Sequence, residues 1–473
     1  MALDLAEGPH FTALREAVFS KTLSCPTGTF KLEQDSTALY YRNSRYEPPS
    51  FSSVDFSNPS EDDLKALAEA CDPATFGRAD QDVYDESYRK AGKLNATHFA
   101  INFHPGPAGL LDEIRDVLLE GYNFDTEITA ELYKLNVYGP GSFFKAHKDT
   151  PRGQTMFASL VVVLPTEHEG GALIFRHEDQ EIKFDSALAL AGEDEPAVAY
   201  AAFFSDIEHE VEEVRAGYRI TLTYNLYRTR VRRSGHTLPE TVDDYVSNLA
   251  DTFDALLNDE TFLPDGGLVG FGLRHDYPVF TGLTILGADL NSLYDSLKGS
   301  DALLAQVCRQ LELDWDIKVV YNGDTDSNCY ILCENTLYLG EDCLDDEYDT
   351  DIMAMLLGEK LGKELMTDPS DVYKTDSKGH KRKSKQRTHV YWATPTSPYM
   401  SETVCVVYGN EPSMGHAYGR ACLIVDVEPY EQRTNVVEPT EPEVVELTEL
   451  EVAEQTELKV VEQTEPEVAA SET

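Results

Sequence analysis

Positive charge is scarce in this sequence relative to negative charge. Thirty-nine Lys and Arg stand against eighty-five Asp and Glu in 473 residues, a formal net charge of −46. A field of that sign repels nucleic acid phosphates and anionic membranes, so neither is expected as a partner. The eight cysteines (Cys25, Cys71, Cys308, Cys329, Cys333, Cys343, Cys405 and Cys422) contain no C-x-x-C pair. In a chain this long they do not read as a disulfide framework, and buried thiols of a reducing compartment are expected. No apolar run is long enough to span a bilayer. The start, MALDLAEGPHFTALREAVF, lacks a basic stretch followed by an apolar one, so no secretory signal is read there. The expectation is an intracellular protein, cytoplasmic or nuclear. DGGLVGFGLRHDYP is glycine-rich but lacks the G-K-[ST] of a P-loop, and reads as a turn and strand. EDCLDDEYDTD lacks EF-hand spacing, and Cys329 and Cys333 have no second pair to complete a zinc site.

What is present suffices for real cores: 41% of residues are hydrophobic and 10% aromatic. The chain is too long for one ordinary domain, and its texture divides four ways. Residues 1–95 form an N-terminal α/β region. In it FKLEQDSTALYYRN alternates around a turn-like centre and reads as a hairpin, and Ser60 with Asp63 fits a capping signal ahead of Leu64, Leu67 and Ala68. Residues 96–230 begin with a helix in GLLDEIRDVLLEGY, with Leu110, Ile114, Leu118 and Leu119 on one face. From Leu132 to Tyr227 short β-branched and aromatic runs follow one another between glycine turns, which indicates a barrel or jelly-roll sandwich. Residues 235–430 mix helices, TVDDYVSNLADTFDALLND and DALLAQVCRQLEL, with strands, IKVVYN, CYILCE, VCVVYG and ACLIVDV. The overall class is therefore α+β.

Residues 434–473 repeat an eight-residue unit from Thr440, Thr448, Thr456 and Thr464. Twelve Glu, one Lys and no aromatic residue offer too little to bury, so this acidic tail is expected to be disordered. The basic stretch KGHKRKSKQR, residues 378–387, reads either as a solvated loop or as a nuclear localisation signal.

The chemistry concentrates in KLNVYGPGSFFKAHKDT. His147 and Asp149 are two residues apart, and on an extended chain positions i and i+2 point to the same side. An imidazole and a carboxylate can therefore meet one ion from a single strand end. His209, in FFSDIEHEVEEV, lies at the start of another expected strand. Two histidines and one carboxylate on one face of an octahedron leave adjacent sites open, as non-haem Fe(II) oxygenases require. Arg219 follows ten residues later with Thr221 on its side of the strand. A guanidinium grips a carboxylate through two parallel hydrogen bonds and a hydroxyl adds a third, which suits a dicarboxylic acid. Arg152, just after H-x-D, stands where it can line a substrate mouth or serve a structural ion pair. His168 and His177 read as surface residues.

With H-x-D at 147–149, the distal His209, a basic residue ten positions on and a Tyr-Gly ahead of H-x-D, residues 132–227 resemble a known catalytic domain. It is that of the 2-oxoglutarate/Fe(II)-dependent dioxygenases, in the branch of the prolyl 4-hydroxylase alpha-subunit. The resemblance covers about a fifth of the chain; the flanks are similar in texture to large fungal members. It implies a double-stranded β-helix, His147, Asp149 and His209 as catalytic metal ligands, and Fe(II), 2-oxoglutarate and O2 as the working set, with ascorbate left open. A tyrosine nine residues before the first ligand binds 2-oxoglutarate in that branch; here it is Tyr138. Two departures bear on prolyl specificity. Collagen-type enzymes carry lysine where Arg219 stands, and a threonine where GGAL places Leu173.

The implied activity is hydroxylation of a C–H bond with release of succinate and CO2. The expected substrate is a polypeptide side chain. Gly139, Gly141, Phe143 and Phe144 fit either a mobile aromatic rim or a turn with a core contact, and the net charge would steer basic segments inward. Two alternatives remain open at this point: an oxygenase of a small metabolite, and a non-catalytic interaction protein that keeps the fold. The sequence sets no oligomeric state.

Overall fold

A computed structural model describes residues 3–32, 37–43, 48–78, 81–119, 126–149, 155–230, 240–277, 290–322, 329–336, 356–375, 381–396, 401–407 and 413–433. The chain divides into two compact units, Met1–Tyr430 and Glu431–Thr473. Most of the first unit is sheet, with several helices.

The strands that build the site are β1 (Thr126–Tyr138), β2 (Ser142–His147), β3 (Met156–Val163), β4 (Leu173–His177), β5 (Gln180–Phe184), β6 (Ala197–Phe204), β7 (Glu208–Gly217) and β8 (Arg219–Arg230). They sort into two antiparallel sheets. One runs Thr27–Lys31, β6, β3, β8, β1, Gly92–Asn95, Asp72–Pro73; the other runs β5, β4, β7, β2, Arg89–Lys90, with His168–Gly170 also on β7. The chain therefore crosses repeatedly between sheets, and each crossing leaves a turn at the rim of the space they enclose.

Period-two alternation decides what faces that space. On β8 the even positions Ile220, Leu222, Tyr224 and Leu226 are apolar and join the main core cluster with Leu110, Ile114 and Leu118 of the helix Leu110–Leu118. Burying one such side chain stabilises the fold by roughly 1.5–3 kcal/mol. The odd positions Arg219, Thr221, Thr223 and Asn225 are polar and line the cavity. A one-residue slip would exchange the two faces, so the pattern fixes the register.

The second half of Met1–Tyr430 is a further sheet. Its order is Arg387–Thr388, Gly362–Leu365, Tyr330–Cys333, Asp314–Asn322, Ser413–Val427, Gly267–Gly272, Val390–Trp392, with Ser401–Val407 on Ser413–Val427. The helices Glu240–Leu257 and Gly299–Gln310 pack over its core, and so does the N-terminal helix Pro9–Phe19 through Phe11, Leu14, Ala17 and Val18. Among the described residues no helix is long and apolar enough to cross a membrane.

The capping signal at Ser60 opens the helix Glu61–Ala70, with the Ser60 side chain accepting from the Asp63 backbone N–H. The expected hairpin does not form. Thr27–Lys31 pairs with β6, and Ala38–Asn43 pairs with Ser50–Asp55 and Phe99–Ile101. Two neighbouring alternating runs found better apolar partners in different sheets. His168 is buried, contrary to its reading as a surface residue; its ring bonds to Thr166 O at 2.9 Å and Ser186 Oγ at 3.2 Å. His177 is half-buried and stacks on His275. The tail, the acidic EDCLDDEYDTD and Arg152 lie outside the described residues, as does part of the basic stretch; its Lys381–Lys383 pairs with Tyr373–Thr375.

Candidate metal centre and cosubstrate pocket

β2 and β7 are antiparallel neighbours, and their register sets His147 directly opposite His209. Asp149 lies just past the end of β2, where its backbone N–H donates to Ser205 O at 3.0 Å. One ligand atom from each of His147, Asp149 and His209 lies within 4.8 Å of the others. His147 Nδ1 bonds to Lys145 O at 2.9 Å and His209 Nδ1 to Ile207 O at 3.0 Å. A carbonyl oxygen only accepts, so each Nδ1 carries the proton and each Nε2 keeps its lone pair for a metal. Ser159 donates to Asp149 Oδ2 at 2.5 Å, while Oδ1 lies 4.0 Å from His209 Nε2.

The electrostatics agree with this donor set. Burial, followed by the neighbouring His209, pushes His147 down to about 3, so its imidazole is neutral at ordinary pH. Burial works against charge on Asp149, but His209, His147 and the Ser159 hydroxyl outweigh it and hold the carboxyl below its usual value. Two imidazoles and one carboxylate are a donor set that suits a divalent ion of Fe(II) type.

Across the cavity β1 pairs with β8, with Tyr138 opposite Arg219 and Asn136 opposite Thr221. Arg219 is only 1% exposed, and its Nε and Nη2 have no hydrogen-bond partner among the described residues. Burial pushes it down to about 10, partly offset by Tyr138 and Asp185. A buried guanidinium without an anion is costly, and Arg219 forms no ion pair among the described residues, so this floor has the chemistry to take an anion. Gly171 makes room for it. At φ +72° a Cβ there would stand 2.8 Å from Arg219 Cδ and 2.8 Å from Val214 Cγ2. The same cavity, ≈ 520 Å³, is lined by His147, Asp149, His209, Tyr138, Arg219 and Thr221.

Other contributors were not singled out from the sequence. Ser159 is the polar interruption in the apolar run MFASLVVV, a signal visible without a structure. Arg89 is buried, donates to Asn136 Oδ1 at 2.8 Å and Thr75 O at 2.7 Å, and lies 4.3 Å from the Phe144 ring. Phe144 in turn stacks on His147 with centroids 3.6 Å apart. Phe144 is thus a packed contact behind the first ligand. Arg89, Lys93, Lys134 and Lys148 also line the cavity, and Asp149 is the single carboxylate among its described lining residues. The protein is acidic, but the contact surface of its cavity is cationic.

Residues 133–227 match the model of the 2OG-Fe(II) oxygenase superfamily. No curated protein sequence matches the chain. Solved structures with partial similarity include a Pseudomonas putida prolyl-4-hydroxylase, at 19% identity over 46% of this chain and 100% of that one, TM-score 0.25. Another is a prolyl hydroxylase from Trichoplax adhaerens, solved with a hypoxia inducible factor oxygen degradation domain peptide fragment, at 16% identity over 46% and 90%, TM-score 0.28. A third is a 2OG-Fe(II) oxygenase family oxidoreductase from Burkholderia pseudomallei, at 16% identity over 36% and 80%, TM-score 0.23.

Proposed function

We propose, on the premise that this chain is a dioxygenase whose residues 133–227 form a 2OG-Fe(II) oxygenase domain, that it hydroxylates a C–H bond of a polypeptide side chain within a double-stranded β-helix. The reading rests on one observation. A single cavity holds a two-histidine, one-carboxylate donor set and, on its floor, a buried guanidinium with two nitrogens unpartnered among the described residues.

When bound, Fe(II) with 2-oxoglutarate and O2 supplies the oxidising power for C–H hydroxylation, with succinate and CO2 as co-products. The protein's own residues do the rest. His147, Asp149 and His209 hold the ion, and Ser159 orients the carboxylate. Arg219 and Thr221 grip the distal carboxylate of 2-oxoglutarate, and Tyr138 adds a donor beside them. Phe144 and Phe203, packed on the two imidazoles, keep the ligand edges dry.

The test is succinate release by purified protein with Fe(II), ascorbate, 2-oxoglutarate and peptide pools, followed by mass spectrometry for added oxygen. Asp149→Ala should abolish both signals. Turnover and metal content equal to wild type in Asp149→Ala, His147→Ala and His209→Ala would remove the assignment.

The cationic lining favours an acceptor that carries an anionic group close to the oxidised carbon. This reverses, at contact distance, the preference for basic segments that net charge alone implies. The same lining suits a small anionic metabolite, which is the second reading. Acidic peptides, lysine-rich peptides and small carboxylic acids are therefore compared as stimulators. Stimulation by lysine-rich peptides alone would overturn the charge argument, and stimulation by small acids alone would select the second reading.

A further inference from the structure

Behind the metal ligands lies a second buried constellation that the oxygenase chemistry does not use. Asp206 sits in the turn from β6 to β7, between Ser205, whose carbonyl holds the Asp149 N–H, and Ile207, whose carbonyl holds the His209 ring. Its carboxylate is only 7% exposed. Its hydrogen-bond partners among the described residues all come from the second half of the chain. His275 Nδ1 bonds to Oδ2 at 2.9 Å, the Asp276 N–H donates to Oδ2 at 3.1 Å, and Lys298 Nζ donates to Oδ1 at 2.6 Å. Lys298 also donates to Asp276 O at 2.8 Å, closing the ring of contacts.

The segment 274–277 is itself pinned from below. Asp301 accepts the backbone N–H groups of Arg274 and His275 at 3.0 and 3.1 Å and the Tyr277 hydroxyl at 2.8 Å. Gly299, at φ +48°, lets the imidazole in, because a Cβ there would stand 2.7 Å from His275 Nε2. The same segment reaches the other metal-ligand strand. Asp276 pairs with Lys148, the residue between His147 and Asp149, at 2.7 Å.

We propose that residues 274–277 with Lys298 form a clamp that sets the spacing of the two metal-ligand segments through Asp206 and Lys148. The second half of the chain is then part of the iron site. Asp206 is a positioning residue: it touches no metal, and acts through the carbonyls on either side of it. Outer contacts that orient ligands typically change metal affinity by about 10–100-fold when lost. This inference rests on the reading that His147, Asp149 and His209 bind a divalent ion.

The experiment uses the full chain and Co(II) as the probe, followed by its visible absorption, with thermal melting of the metal-free protein measured alongside. If the wild type takes up no Co(II), the metal assignment itself fails, separately from the clamp. In the paired variant D206N/K298M both charges are removed together, so no unpaired ion is buried. It is expected to melt near the wild type but to bind Co(II) about tenfold more weakly, with an altered spectrum. His275→Asn, which keeps a donor at the Nδ1 position, is expected to retain most of the affinity that His275→Leu loses. Unchanged affinity and spectrum in folded D206N/K298M would overturn the clamp. Should that protein not fold, equal affinities in His275→Asn and His275→Leu would overturn it instead, and a loss confined to His275→Leu would support it.

Discussion

Two buried charges lie near the cluster of His147, Asp149 and His209, one lining its cavity and one outside that lining, and they are treated in opposite ways. Asp206, at the seam, has a lysine, an imidazole and a backbone N–H around it. Arg219, on the cavity floor, is as deeply buried but leaves Nε and Nη2 unpartnered and forms no ion pair among the described residues. Desolvating a charge costs several kcal/mol, and a fold bears that cost only if something returns it. At the seam the chain itself returns it. On the floor no described residue returns it in full, which leaves room for a bound anion. The difference is that expected between a structural joint and a binding site, without reference to any family, and the two positions should respond differently to substitution.

The seam should show the largest effect. Asp206→Asn leaves the Lys298 ammonium buried without its counter-charge, and the expected loss is about 3–5 kcal/mol of stability. Urea unfolding of metal-free protein measures it; a loss below about 1 kcal/mol would erase the contrast. The pH dependence sharpens the point. Burial opposes the Asp206 charge, but Lys298 and His275 outweigh it and hold the carboxyl well below its ordinary value. A depressed acid stabilises the fold above its unfolded pKa, and the contribution disappears as pH falls through the lower folded value. The gap between wild type and Asp206→Asn should thus persist through neutral pH and close only below about pH 4.

The floor should behave the other way. Arg219→Met removes an uncompensated cation and keeps a flexible apolar side chain, so the metal-free, ligand-free protein should melt at the same temperature or higher. Binding of 2-oxoglutarate, followed by calorimetry, should weaken by about 2–5 kcal/mol, with metal binding intact. Destabilisation together with unchanged 2-oxoglutarate affinity would make Arg219 a structural residue. A smaller step on the same surface is Tyr138→Phe. The ring over the guanidinium, 5.6 Å from Cζ, is kept and only the hydroxyl goes. That should weaken 2-oxoglutarate by about 1 kcal/mol and leave melting unchanged.

The parts of the site that were legible in the sequence are those encoded locally. H-x-D is readable because strand geometry puts i and i+2 on one side, and Arg219 with Thr221 because polar residues break an apolar strand. The helices Glu61–Ala70 and Leu110–Leu118 announced themselves by capping and periodicity. What could not be read is pairing across distance. Nothing in TGTFK distinguishes a hairpin arm from a strand on β6, and nothing in PHFTALREAVF says that its apolar face belongs to a core more than two hundred residues downstream. DGGLVGFGLRHDYP reads as no more than a turn and strand, yet its His275 and Asp276 hold Asp206 and Lys148. Such contacts depend on which surfaces meet, and a local pattern carries no information about that.

The smallest effect is expected from charge that is plentiful but whose composition suits neither location. Residues 434–473 carry twelve Glu against one Lys, about a quarter of the net charge of −46. If amount of charge governed anion binding, deleting this segment would markedly favour 2-oxoglutarate, because much repulsion would go. If placement governs it, as the contrast between Asp206 and Arg219 implies, the deletion should matter little. Charges of a solvated tail act on a ligand only within about 8 Å at physiological ionic strength, so a tail as disordered as its composition predicts should contribute little. A composition without aromatics also gives no apolar face whose loss would unfold the body. A chain ending at Arg433 should therefore melt with the full-length protein and bind 2-oxoglutarate within about twofold of it at 0.15 M salt, any difference growing only at low salt. A large fall in melting temperature would show that the repeats pack against the body. A large gain in affinity at physiological salt would show that total charge outweighs the local pairing on which the comparison stands.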